Sequence, residues 1–170
     1  MPNKNPNLLD VVILKNGGNI QREDGTQVVA IGTDGTTTSL LATPTVTTLT
    51  STTTLTAAQS GGIFFLNSST EFVTTLPAPF AGARYTVIVK AAPSGASYTV
   101  VTNASANIIK GQAYPASGAA GDTGTADDTI TFTDGAAVAG DRLELYSDGT
   151  SWFAYGFCAV ATGIVYTQAT

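Results

Sequence analysis

The chain has 170 residues, a net charge of −5, 43% hydrophobic residues and only 11% charged ones. That length allows one domain, or one domain with an arm. The seven basic residues form no cluster, which argues against a nucleic-acid partner, and with no histidine there are no Ser-His or Cys-His nucleophile systems and none of the usual zinc sites.

Threonine occurs 29 times and glycine 18 times, while Lys, Glu, Gln and Leu are sparse. Thr and Val suit a pleated, half-buried surface, so the composition predicts an all-β protein. The chain divides into two regions. Residues 1–56 hold candidate strands at 8–14 and 26–31, with turn signals at Gly17-Gly18, Asp24-Gly25 and Asp34-Gly35. Residues 36–56 are a threonine-dominated run interrupted by Pro44. β-Branched threonine and the residue before proline both resist helix. Leu40, Leu41, Val46, Leu49 and Leu55 punctuate this run, so it reads as an extended attachment arm that becomes ordered against another surface.

Residues 57–170 read as a single β-sandwich or barrel of short antiparallel strands. Candidate strands fall at 63–67, 71–76, 84–90, 97–102, 107–110, 129–133, 141–147, 151–158 and 163–167. Residues 85–90, YTVIVK, are apolar on nearly both faces, which predicts a central or covered strand. Residues 114–128 are small throughout and read as one long loop. Asp-Gly occurs at 24–25, 34–35, 134–135 and 148–149, each a hairpin signal.

No catalytic, cofactor-binding or metal site is predicted. The sequence has no phosphate-binding glycine motif, and Glu23, Glu71 and Glu144 are its only glutamates. Asp122, Asp127 and Asp128 offer oxygen ligands but lack the alternation of a calcium loop. Cys158, the single cysteine, lies in an apolar run and reads as a buried structural thiol. No apolar run approaches the ~20 residues of a membrane span, and the first ten residues lack an apolar export core.

Residues 144–156, ELYSDGTSWFAYG, carry the most distinctive pattern. Alternation places Trp152, Ala154, Gly156 and Cys158 on one face, and Phe153, Tyr155 and Phe157 on the other. A two-residue loop at Asp148-Gly149 pairs Leu145 with Trp152, and a three-residue loop shifts that pairing; the residues leave both open. Three aromatics left in water make a patch that soluble monomers seldom carry. Trp152, Phe153, Tyr155 and Phe157 are therefore expected to be covered by the chain's own second sheet or arm, by another subunit, or by a sugar.

Residues 72–90 (FVTTLPAPFAGARYTVIVK), 107–111 (NIIKG) and 129–156 (TITFTDGAAVAGDRLELYSDGTSWFAYG) together resemble a β domain of tailed-bacteriophage virion proteins. That domain occurs in head decoration (cement) proteins and in tail-fibre or tail-tip proteins. The resemblance implies a non-enzymatic, commonly trimeric module, made in the bacterial cytoplasm and attached to the virion, with the major capsid protein as partner. The tail or fibre alternative implies host carbohydrate binding.

Overall fold

The computed structural model describes residues 44–68 and 70–168, and the backbone of three short strands before them. Those three are β1 (Asn19–Gln21), β2 (Gln27–Ile31) and β3 (Thr37–Thr38), an antiparallel sheet in the order β1-β2-β3. Asp24-Gly25 and Asp34-Gly35, read as hairpin signals, lie outside the described residues. The candidate strand at 8–14, and Leu40 and Leu41, lie outside the described residues.

The chain separates into two compact units, Met1–Thr43 and Pro44–Thr170. The second begins thirteen residues earlier than the arm reading placed it, and its first two strands fall inside the predicted arm. They are β4 (Val46–Leu49) and β5 (Thr53–Thr54). Next come β6 (Ile63–Leu66), β7 (Phe72–Thr75), β8 (Ala81–Val89) and β9 (Tyr98–Val101). The remainder are β10 (Ile109–Pro115), β11 (Thr123–Asp127), β12 (Thr129–Phe132), β13 (Arg142–Asp148), β14 (Trp152–Cys158) and β15 (Ile164–Thr167).

Two mixed sheets pack face to face. The large one has the order β11-β10-β14-β13-β8-β6-β4, the small one β15-β12-β9-β7-β5. All-β sandwich architecture is thus as the composition implied, but purely antiparallel pairing is not. From β4 to β9 the chain passes alternately between the sheets, so β4, β6 and β8 run parallel in one, and β5, β7 and β9 in the other. This is three turns of a flattened coil. Strand β10 also runs parallel to β14. Every antiparallel pair in this unit includes a later strand, as in β13 with β14 and with β8, and β12 with β9.

The core lies between the sheets. Trp152, at 0% exposure, packs against Tyr85 at a ring-centroid distance of 5.8 Å, and Tyr85 against Phe64 at 6.1 Å. From the small sheet, Phe72 and Tyr98 meet at 4.8 Å. The Tyr98 hydroxyl, with one proton to donate, lies within hydrogen-bond reach of the carbonyls of Ser68 (2.5 Å) and Ala91 (3.0 Å), which satisfies its polar end. Strand β8 is central, between β13 and β6, in keeping with its two apolar faces.

Two further expectations are corrected. Residues 114–128 are not a single loop: β10 runs on to Pro115 and β11 returns antiparallel to it. Gly, Ala and Thr give β11 no hydrophobic alternation, so its pairing had no periodic signal. Asp134-Gly135 does not join paired strands; it turns the chain from β12 in the small sheet to β13 in the large one.

Candidate functional site

The β13–β14 hairpin sets the geometry of the outward face of the large sheet. Its register pairs Ser147 with Trp152 and Leu145 with Ala154. The loop is therefore longer than either length considered from the sequence. Asp148 organises it: Oδ1 accepts from the amides of Thr150 (2.8 Å) and Ser151 (2.8 Å) and from the Thr150 hydroxyl (2.9 Å). These hydrogen bonds hold the carboxyl at a pKa of about 2, against an ordinary 3.8. Gly149 takes the left-handed turn position, with φ of 101°.

A two-residue shift of register leaves the faces unchanged, so the predicted alternation holds along β14. Trp152, Ala154, Gly156 and Cys158 are buried, Phe153 and Phe157 half-buried, and Tyr155 exposed at 39%. The small sheet covers the tryptophan face; the other face looks outward. Trp152 is thus a core residue and not part of a surface.

The strands beside β14 add residues that the hairpin alone does not reveal. Three rows cross the outward face. The first is Lys110–Phe153–Tyr146–Arg84. The second is Gln112–Tyr155–Glu144–Thr86–Ile63–Val46, and the third Tyr114–Phe157–Arg142–Ile88–Phe65–Thr48. Tyr114 and Tyr146 are each 44% exposed. Tyr114 stacks on Phe157 at 5.7 Å, and the Arg142 guanidinium lies 4.3 Å from the Phe157 ring centroid. Lys110 sits 5.9 Å from the Phe153 ring centroid, and Tyr146 meets Tyr155 at 6.3 Å. Glu144 joins the rows by accepting from Arg142 Nε (3.3 Å) and the Tyr146 hydroxyl (3.2 Å).

The phenylalanines are thus partly shielded by cations and a tyrosine of the same face, while the three tyrosines remain open to solvent. Beside Tyr114 and Phe157, residues Val138–Asp141 border an open groove of ≈ 460 Å³. Tyr114 and Lys110 could not be assigned to this face from the sequence, because the parallel β10–β14 pairing joins residues some forty positions apart. Tyr146 was legible, as it lies in the same hairpin.

Among the described arm residues, Leu49 and Leu55 are buried in this unit's own core, Leu55 at 1% exposure, and Val46 is open. They are not free attachment anchors, because their strands complete the two sheets and their side chains fill the interior. Cys158 is buried, and burial followed by the nearby Asp141 charge pushes its thiol pKa up.

The acidic stretch is structural. Asp122 Oδ2 accepts from the Tyr166 amide (2.7 Å), Asp127 Oδ2 from the Thr125 amide (3.0 Å) and Asp128 Oδ1 from the Thr129 hydroxyl (2.8 Å). No group of three or more acidic or cysteine side chains is placed to hold a metal among the described residues. Also among them, no helix is long and apolar enough to cross a membrane. In comparisons with known proteins, no family model and no curated protein matches this chain.

Proposed function

We propose that the chain is a structural virion protein of a tailed bacteriophage, a capsid decoration protein that binds the outside of the assembled head and stabilises it. Its partner is the major capsid protein, and its attachment surface is the outward face of the large sheet. One observation carries this reading: Tyr114, Tyr146 and Tyr155 stand exposed in adjacent rows, over phenylalanines flanked by Arg142 and Lys110. Tyrosine and arginine are the residues that dominate binding energy at protein interfaces. The resemblance of residues 72–90, 107–111 and 129–156 to phage virion domains supports the same assignment. Copies grouped as trimers, as the resemblance implies, would attach together and gain from avidity.

The test is binding to expanded capsids that lack the protein. Wild type binds stoichiometrically and raises the temperature at which the shell opens. Tyr114→Ala/Tyr155→Ala binds about tenfold or more weakly, because each tenfold corresponds to about 1.4 kcal/mol and an interface anchor contributes more than that. Wild type that ignores the shell overturns the assignment.

A second reading, a tail or fibre component that binds host carbohydrate, is favoured by a separate observation. Glu144, Gln112 and Arg142 stand among the tyrosines on one face, and such polar groups can hydrogen-bond sugar hydroxyls beside a stacking ring. Binding to a glycan array or to intact cells, with none to heads, selects this reading.

A further inference from the structure

The two ends of the sandwich are finished differently. At one end the outermost strands β11 and β15 are tied together across the layers. The Tyr166 amide donates to Asp122 Oδ2 (2.7 Å), and Gln168 Nε2 donates to the Ala126 carbonyl (2.6 Å). The pairing of β10 with β11 also carries a register shift between Ile109 and Gly111. Charge, irregularity and cross-layer bonds are the devices that keep sheet edges from pairing with other chains.

At the other end β4 and β5 are the outermost strands of both sheets at once. Residues 44–56, which contain them, include no charged residue and no glycine, and the pairing of β4 with β6 is regular. The Thr45 and Leu49 carbonyls accept from Ile63 (2.8 Å) and Asn67 (2.9 Å), so those residues direct their backbone groups at β6. Alternation then directs the backbone groups of Val46, Thr48 and Thr50 to the open side. All three residues are exposed, Val46 at 64%. Four residues long and preceded by Pro44, β4 otherwise carries neither charge nor bulge.

The structure points to a homotypic pairing site here: we infer that β4 of one copy pairs antiparallel with β4 of a second copy across a two-fold axis, continuing the large sheet through both molecules. Three features select a second copy as the occupant. Among the described residues, the opposite edge of the large sheet is tied off, so the complementary free edge is β4 itself. A two-fold contact presents one patch to itself, and this patch brings no like charges together in a chain of net charge −5. A symmetric register is also available. A two-fold axis at Thr48 sets Thr48 opposite Thr48 of the partner and Val46 opposite Thr50, and leaves Pro44, which has no N–H to give, outside those pairs. The site is at the far edge of the sheet from the tyrosines and does not depend on whether they bind heads.

The test uses the full chain. Sedimentation equilibrium of wild type should give a reversible monomer–dimer curve. Val46→Lys/Thr48→Lys should raise the dissociation constant about tenfold or more, since like charges placed opposite each other across a strand pair repel. A second variant keeps the outcome clear if the lysines disturb folding. Thr48→Cys places two thiols at Cα positions about 5.5 Å apart, within disulfide reach. Mild oxidation should yield a covalent dimer, with the native Cys158 buried and silent. Thr125→Cys, exposed at the tied end, should give none. Wild type that stays monomeric overturns the inference. So does any oligomer, a trimer included, that ignores the lysines and leaves Thr48→Cys uncrosslinked.

Discussion

Asp148 is a turn residue whose carboxylate has become part of the fold. Its folded pKa of about 2 lies below the ordinary 3.8, so its contribution is fully present above the ordinary value and fades as pH falls through about 2. Asp148→Ala should lower the melting temperature at pH 7 and flatten its decline between about pH 4 and pH 2, measured by thermal melts across that range. Tyr166 behaves in the opposite sense. Burial, and then the Asp122 charge, pushes its hydroxyl pKa well above the ordinary 10.0, and the hydroxyl donates to the Ala154 carbonyl at 3.0 Å. A raised pKa means that stability is present below the ordinary value and lost as pH climbs above it. Tyr166→Phe should therefore destabilise at pH 7 by about 1 kcal/mol, the net worth of one hydrogen bond, and reduce the alkaline fall. Denaturant titrations at neutral and alkaline pH check both parts.

At the scale of elements, the threonine-rich segment gives the clearest lesson. Thr and occasional Leu predict extended chain but not what the chain lies against. The structure pairs β4 with β6 and β5 with β7, drives Leu49 and Leu55 into the core, and ties the segment down through the Tyr85 hydroxyl, which donates to the Thr56 carbonyl at 2.9 Å. Removing residues 1–43 should leave a cooperative β fold. Removing 1–56 should destabilise it severely, since deletion of even one buried leucine side chain costs about 2–5 kcal/mol. Leu55→Ala reads this in the full chain as a loss within that range by chemical denaturation. Strand β10 makes a parallel point. A Cβ on Gly111 would lie 1.8 Å from the Ala154 carbonyl oxygen, so the close approach of β10 to β14 requires glycine there.

For the whole molecule, the outward face and the open edge are products of strand order. Alternation within residues 152–158 already separated the tryptophan face from the Phe153, Tyr155 and Phe157 face, because side chains in a strand point to opposite sides whatever their partners. Local chemistry likewise dictated the β class, the central position of β8 and the turn at Asp148-Gly149, since each depends on near neighbours. Which neighbours β14 acquires was beyond that reading: Tyr114 reaches Phe157 through a parallel pairing whose partners are distant in the chain. The alternating passage of β4 to β9 between the sheets was hidden for the same reason. Parallel strands are joined by crossovers with no fixed turn signature, whereas a hairpin announces itself in a few residues. Local pattern thus determined which side chains share a face, and only the tertiary structure decided which strands stand beside them and which edge stays open.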